Sequence, residues 1–196
     1  MKSILLTGFR SFAGELINPS ELLLNIIPDH FIAKKLILPV SYEKSFSMVS
    51  AELQTGKYPC VIMLGQAGGR AQVCLERFVV NLIDSEIPDE DQLLFKGKRI
   101  SLHGPEAFQA QFPIDNWITL AQSKNLPLVV SNSAGTYVCN SLSYQVAENF
   151  SVRGVKSLFI HLPFLPEQTL NKTPETPSLS LEEMQKCLEF VLGKIV

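Results

Sequence analysis

The chain has 196 residues, enough for one domain with a sizeable core or at most two small ones. It is 46% hydrophobic and 18% charged, a globular composition, and its net charge of −2 supplies no electrostatic footprint for nucleic acid or an anionic membrane. No segment is apolar for long enough to span a bilayer, and Gly8 and Arg10 break the N-terminal run too early for a signal peptide.

Ser3 to Thr7 reads as a short buried strand. Asn18-Pro19-Ser20 opens a helix, because Asn18 is a good cap and Pro19 suits a first position whose N–H would be unpaired anyway; Leu22, Leu23, Ile26 and Ile27 share one side. A strand over 35–40 and a helix over 42–54 follow, the helix carrying Phe46, Val49 and Leu53 at helical spacing. CVIML (60–64) is a third strand, ended by Gly65. Weaker strands are expected over 79–83 and 99–102. A helix over 113–124 then buries Trp117, Leu120 and Ala121. Leu128 to Ser131 is a strand, Cys139 to Phe150 a helix and Leu158 to His161 a strand. A proline-rich loop spans 163–177. The last helix, 180–194, starts at a Ser180/Glu183 capping box and has Leu181, Met184, Leu188 and Val191 as its inner stripe. Short apolar strands alternating with helices predict an α/β fold: a mostly parallel twisted sheet with helices on both faces, in a single domain over 1–196.

The cysteines, Cys60, Cys74, Cys139 and Cys187, show no CxxC pairing and no metal-ligand spacing with His, so no metal or cofactor is expected and reduced thiols are the default. Three of them sit in hydrophobic runs and read as packing residues. Cys139 differs. It follows the bendable stretch NSAGTYV, after a strand and at a helix start, where unpaired N–H groups and the helix dipole favour a thiolate. It is either a nucleophile at a strand-to-helix turn or a small buried side chain.

A thiol nucleophile needs a base, and His161, at the end of the apolar strand SLFIH, is expected on the same sheet rim; the other reading is a hydrogen-bonded core histidine. Glu76 lies in the apolar run VCLERFVVN, where a carboxylate needs a partner: either it orients the imidazole or it pairs with neighbouring Arg77. GQAGGR (65–70) follows a strand but fits neither a dinucleotide nor a P-loop pattern. TGFRSFAGE (7–15) presents Phe9 and Phe12, either as a local core or as a pocket for a flat, weakly polar ring.

Together, TGF..F.GE..NPS, GQAGGR, ER...N, IPD, GP.A, SNSAGTYVCN, FIHLPFLPEQ and PSLSL resemble the pyroglutamyl-peptidase I family over almost the whole chain, the cysteine and histidine segments being the most specific. The resemblance implies a cytoplasmic, metal-free cysteine peptidase that removes N-terminal pyroglutamate from peptides and assembles as a dimer or tetramer. Carried over by motif, the catalytic roles fall on Glu76, Cys139 and His161. Substrate binding falls on Phe9, Phe12, Gln66, Tyr137 and Val138.

Departures from the family pattern exist. Glu86 in DSEIPD stands where the family usually has Arg, Ala13 stands where it favours Gly, and FVVN replaces VAIN. If the family's Arg stabilises charge in the active site, Glu86 reverses it, so a second expectation is a catalytically weakened peptidase-like protein that binds pyroglutamyl or related peptides.

Overall fold

A computed structural model of the chain describes residues 3–30 and 32–195. The first half runs β1 (Ile4–Phe9), α1 (Pro19–Ile26), β2 (Ile32–Leu38), α2 (Tyr42–Leu53), β3 (Cys60–Gln66), β4 (Val73–Glu76) and β5 (Phe78–Val80). The second runs β6 (Ala107–Gln109), α3 (Ile114–Gln122), β7 (Leu128–Ser131), α4 (Val138–Phe150), β8 (Lys156–Leu162), α5 (Pro166–Thr169) and α6 (Leu181–Ile195). Among the described residues no helix is long and apolar enough to cross a membrane.

Six strands form one sheet in the order β2-β1-β3-β8-β4-β7. Every neighbouring pair is parallel except β4 with β8, which is antiparallel. Successive strand side chains face opposite ways, so each strand feeds both layers. Ile4, Leu6, Ile62, Leu64, Leu158 and Ile160 meet α1, α3 and α6 on one face. Leu5, Val61, Met63 and Phe159 meet α2 and α4 on the other, where Val49, Leu53, Leu142, Val146 and Phe150 are buried. Each side chain of this size contributes about 1.5–3 kcal/mol when fully buried.

Several sequence expectations need correction. Val73–Glu76 is a sheet strand although its four residues carry little periodicity. The expected strand over 79–83 is shorter: Phe78–Val80 pairs with Ala107–Gln109 in a separate two-stranded sheet. Residues 99–102 are no strand; the N–H groups of Ile100 and Ser101 instead donate to the Asn81 side chain at 2.9 and 2.8 Å. Leu120 and Ile26 are substantially exposed, while Leu24 and Ile114 take buried positions. Strand β3 continues through Gly65 to Gln66, and the loop after β8 contains the short helix α5.

Strand direction also changes the reasoning about the rim. Because β7 runs opposite to β8, the C-terminal ends of these two strands do not coincide. Cys139 and His161 still share a rim, because the chain climbs back through 132–137 and α4 then starts beside the ends of β3 and β8. Gly135, at φ 76, supplies the left-handed residue in that return.

Candidate active site

His161 and Glu76 project from adjacent strands into the layer beneath α4. Both are nearly inaccessible, at 4% and 2% exposure. The imidazole Nδ1 lies 2.7 Å from Glu76 Oε1, so Nδ1–H donates to the carboxylate and Nε2 is left as the basic nitrogen. Arg77 is not the partner of Glu76. Strand alternation turns it away, and it bonds Asn132 at 2.9 Å and pairs with Asp115.

The cation that meets Glu76 is Arg70, at 2.8 Å from the same Oε1. Arg70 also donates to the Ser133 carbonyl at 3.2 Å, which ties the 132–137 return to the carboxylate. Glu76 Oε2 is buried without a hydrogen-bond partner among the described residues. Arg70 ends the GQAGGR motif, close before Glu76 in the chain, but nothing in that motif marks the pair.

Cys139 occupies the first turn of α4. Its Sγ packs against Gly65, where a Cβ would lie only 2.9 Å from the sulfur and 2.7 Å from Phe159 Cζ. Gly65 is the strand neighbour of His161, so the thiol sits one strand away from the imidazole. No hydrogen bond joins them among the described residues; such contacts commonly tighten only with substrate in place. Asn140 holds the start of the helix. Its Oδ1 accepts from Val80 N at 2.8 Å, and its Nδ2 donates to the Val80 and Leu82 carbonyls, each at 2.9 Å. No side chain caps the N-terminus of α4, so the N–H groups of its first turn are open to an oxyanion.

The expected stabilisation of a thiolate at this helix start does not prevail. Burial, aided by the negative charge of Glu76, pushes the Cys139 thiol up to about 12. Burial also holds His161 below its usual range, although the hydrogen bond to Glu76 opposes this.

Cys139 borders a cavity of about 220 Å³ lined by Phe9, Phe12, Gln66, Tyr137 and Phe164 among others. Asn18 and Ser20 pin the first loop: Asn18 Nδ2 donates to the Arg10 carbonyl at 3.1 Å, and Ser20 Oγ accepts from Phe9 N at 2.9 Å. Ala13 adopts φ 55, a left-handed conformation that costs a non-glycine residue roughly 1–2 kcal/mol, yet Phe12 still faces the cavity. The Tyr137 ring packs edge-on to Tyr42, and its hydroxyl donates to the Pro88 carbonyl at 2.9 Å. The Val138 side chain, by contrast, is buried in the core, and Val138 does not line the cavity, which corrects its expected role in substrate binding. Phe164 and Gln168 were missed as site residues, since their loop is brought over the β3 end only by the fold.

Glu86 does not line the cavity. Its side chain is 92% exposed and paired with Lys96, so the charge change expected at this position is met on the surface. Among the described residues no group of three or more His, Cys, Asp or Glu side chains is placed to hold a metal ion.

A family model described as pyroglutamyl peptidase matches residues 2–195. A pyrrolidone-carboxylate peptidase of Thermococcus onnurineus is 37% identical, with 96% of each chain covered. One from Treponema denticola is 35% identical over 98% of this chain and 93% of its own. The crystal structure of pyrrolidone carboxyl peptidase from Fervidobacterium islandicum superposes with a TM-score of 0.92 at 37% identity, covering 100% of this chain and 98% of that one. Pyroglutamyl peptidase I from Bacillus amyloliquefaciens gives 0.90 at 34% identity, with 99% and 96% covered. With agreement in sequence and fold along almost the entire length, the chain belongs to the pyroglutamyl peptidase family.

Proposed function

We propose that the chain is a cysteine exopeptidase that hydrolyses the amide bond after an N-terminal pyroglutamyl residue of peptides. The observation that carries this is the buried Glu76–His161 hydrogen bond one strand from Cys139, at the edge of an aromatic-lined cavity. Pyroglutamate is a neutral lactam, so its slot needs aromatic walls and a few hydrogen bonds rather than a carboxylate for an amine. Phe9, Phe12 and Tyr137 are the walls and Gln66 is the polar group left without a partner for its Nε2, while Glu15 on the same lining is paired with Lys172.

In the proposed reaction His161 Nε2 takes the Cys139 proton as Sγ bonds to the carbonyl carbon. The N–H groups of the first turn of α4 donate hydrogen bonds to the oxygen as negative charge develops on it. The imidazolium, steadied by Glu76, then gives its proton to the amide nitrogen, the C–N bond breaks and a thioester remains. Water attacks that thioester, His161 takes the water proton, and the returning thiolate is reprotonated. No cofactor takes part.

Release of a fluorescent amine from a pyroglutamyl amide, under reducing conditions near neutral pH, tests the proposal; absence of turnover from folded protein overturns it. The pKa directions add a sharper expectation. His161 titrates below the usual value of about 6.5, so kcat/KM should fall only on the acid side of about pH 6.5 as the base becomes protonated. With a thiol raised to about 12, alkylation of Cys139 by iodoacetamide should accelerate about tenfold per pH unit between about pH 7 and 9. A rate that is already level near pH 7, followed at Cys139 by mass spectrometry, would mean a preformed ion pair instead.

Glu86→Arg should change kcat/KM by less than about threefold, as expected for an exposed ion pair. A gain of tenfold or more would favour the weakened, peptide-binding alternative. The proposal carries with it one peptidase domain over residues 1–196 and a cytoplasmic setting, where a free Cys139 thiol persists. It also carries a homo-oligomer, in keeping with partly exposed Ile26, Met48 and Leu120 on the outer helices.

A further inference from the structure

We infer that Gln168 is a positioning residue that sets the donor face of Gln66 toward the cavity, and so makes the site selective for a ring bearing a carbonyl oxygen. This rests on the pyroglutamyl reading above and deepens it. The chain of hydrogen bonds begins at a group that cannot be turned around. Leu165 N–H is only a donor, and it lies 3.0 Å from Gln168 Oε1. Gln168 Nε2 must therefore face the other way, where it meets Gln66 Oε1 at 2.8 Å, Glu15 Oε2 at 3.0 Å and the Ile17 carbonyl at 3.2 Å.

Two N–H bonds serve three acceptors, and a turned Gln66 amide would set one NH₂ group against another. Gln66 is thus held with its oxygen on Gln168. Its Nε2 has no hydrogen-bond partner among the described residues, and the side chain lines the cavity beside Cys139. An unpaired N–H donor beside these aromatic walls recognises an acceptor; the other polar groups on the lining are already engaged, Asn18 with Arg10 and Ser20 and Glu15 with Lys172 and Gln168. The lactam oxygen of pyroglutamate provides one on the ring; a prolyl ring of the same size does not. Glu15, which Gln168 also touches, is held ionised by its hydrogen bond to Lys172, so it remains an acceptor and does not compete as a donor.

The test uses Gln168→Glu and Gln168→Met, with 2-pyrrolidinone as a competitive inhibitor that carries the lactam but no scissile bond. In Gln168→Glu, made together with Glu15→Gln so that no second carboxylate lies beside it, the oxygen facing Gln66 is an acceptor, so Gln66 turns and presents its own oxygen to the ring. KM for the pyroglutamyl amide and the inhibition constant of 2-pyrrolidinone should both rise about tenfold or more while kcat changes little. Gln168→Met removes the constraint without adding charge and should give a smaller rise in both. Unchanged inhibition constants in both folded variants overturn the inference, as does a loss confined to kcat. Binding of 2-pyrrolidinone can also be read directly by NMR titration. That readout needs no turnover, so an inactive wild-type protein would count against the peptidase reading and leave the role of Gln168 to be judged on its own.

Discussion

Cys139→Ala is expected to lower kcat/KM for a pyroglutamyl amide by at least about 10⁴-fold, because among the described residues no second thiol and no serine or threonine hydroxyl borders the cavity and residual rate comes only from binding and oxyanion contacts. The protein should stay folded. Removing one sulfur beside Gly65 should change stability by only about 1 kcal/mol. Binding of 2-pyrrolidinone should persist, since the aromatic walls and Gln66 are untouched. Cys139→Ser should be nearly as inactive, because a neutral imidazole held below its usual basicity is a poor base for an alcohol. Steady-state kinetics of the purified variants measure this directly. Turnover within tenfold of wild type in the alanine variant would remove Cys139 from the mechanism.

Glu76→Gln should be the next most damaging change, at about 10³-fold in kcat, and Arg70 determines how it acts. Arg70 and His161 Nδ1–H both point at Oε1 of Glu76, so an amide in its place keeps its oxygen there and the tautomer survives. The charge is what disappears. A forming imidazolium then faces the unpaired Arg70 cation, and the acid limb of kcat/KM moves down in pH. Arg70→Met works in reverse. It removes a charge that holds His161 down, so the acid limb moves up, and it leaves a buried carboxylate without its cation, at a cost of about 3–5 kcal/mol in stability. The double variant should recover part of the rate lost in Glu76→Gln, since the two side chains share one interaction. Parallel shifts of the acid limb in the two single variants would rule out this coupling.

Local chemistry in the sequence marked Cys139, His161 and Glu76: a cysteine after a glycine turn, a histidine ending an apolar strand and a carboxylate in an apolar run. Most strands and helices were equally legible, because apolar spacing and capping residues such as Asn18 act over a few residues. The register and direction of strands are not local. Only the antiparallel placement of β4 against β8 brings Glu76 to His161, while strand alternation turns Arg77 away and the segment just before β4 supplies Arg70 as the cation. Only the docking of the loop after β8 against the first loop brings Gln168 to Gln66 and Glu15. The upward pull on the Cys139 thiol has the same non-local origin. The helix start favours a thiolate, but the amount of water left around the sulfur depends on everything packed against it. Here burial and the nearby carboxylate outweigh the helix N-terminus. Residue identity and short-range spacing chose which groups do chemistry, while long-range pairing set their partners, and burial set their charge because desolvation sums over the whole surrounding fold.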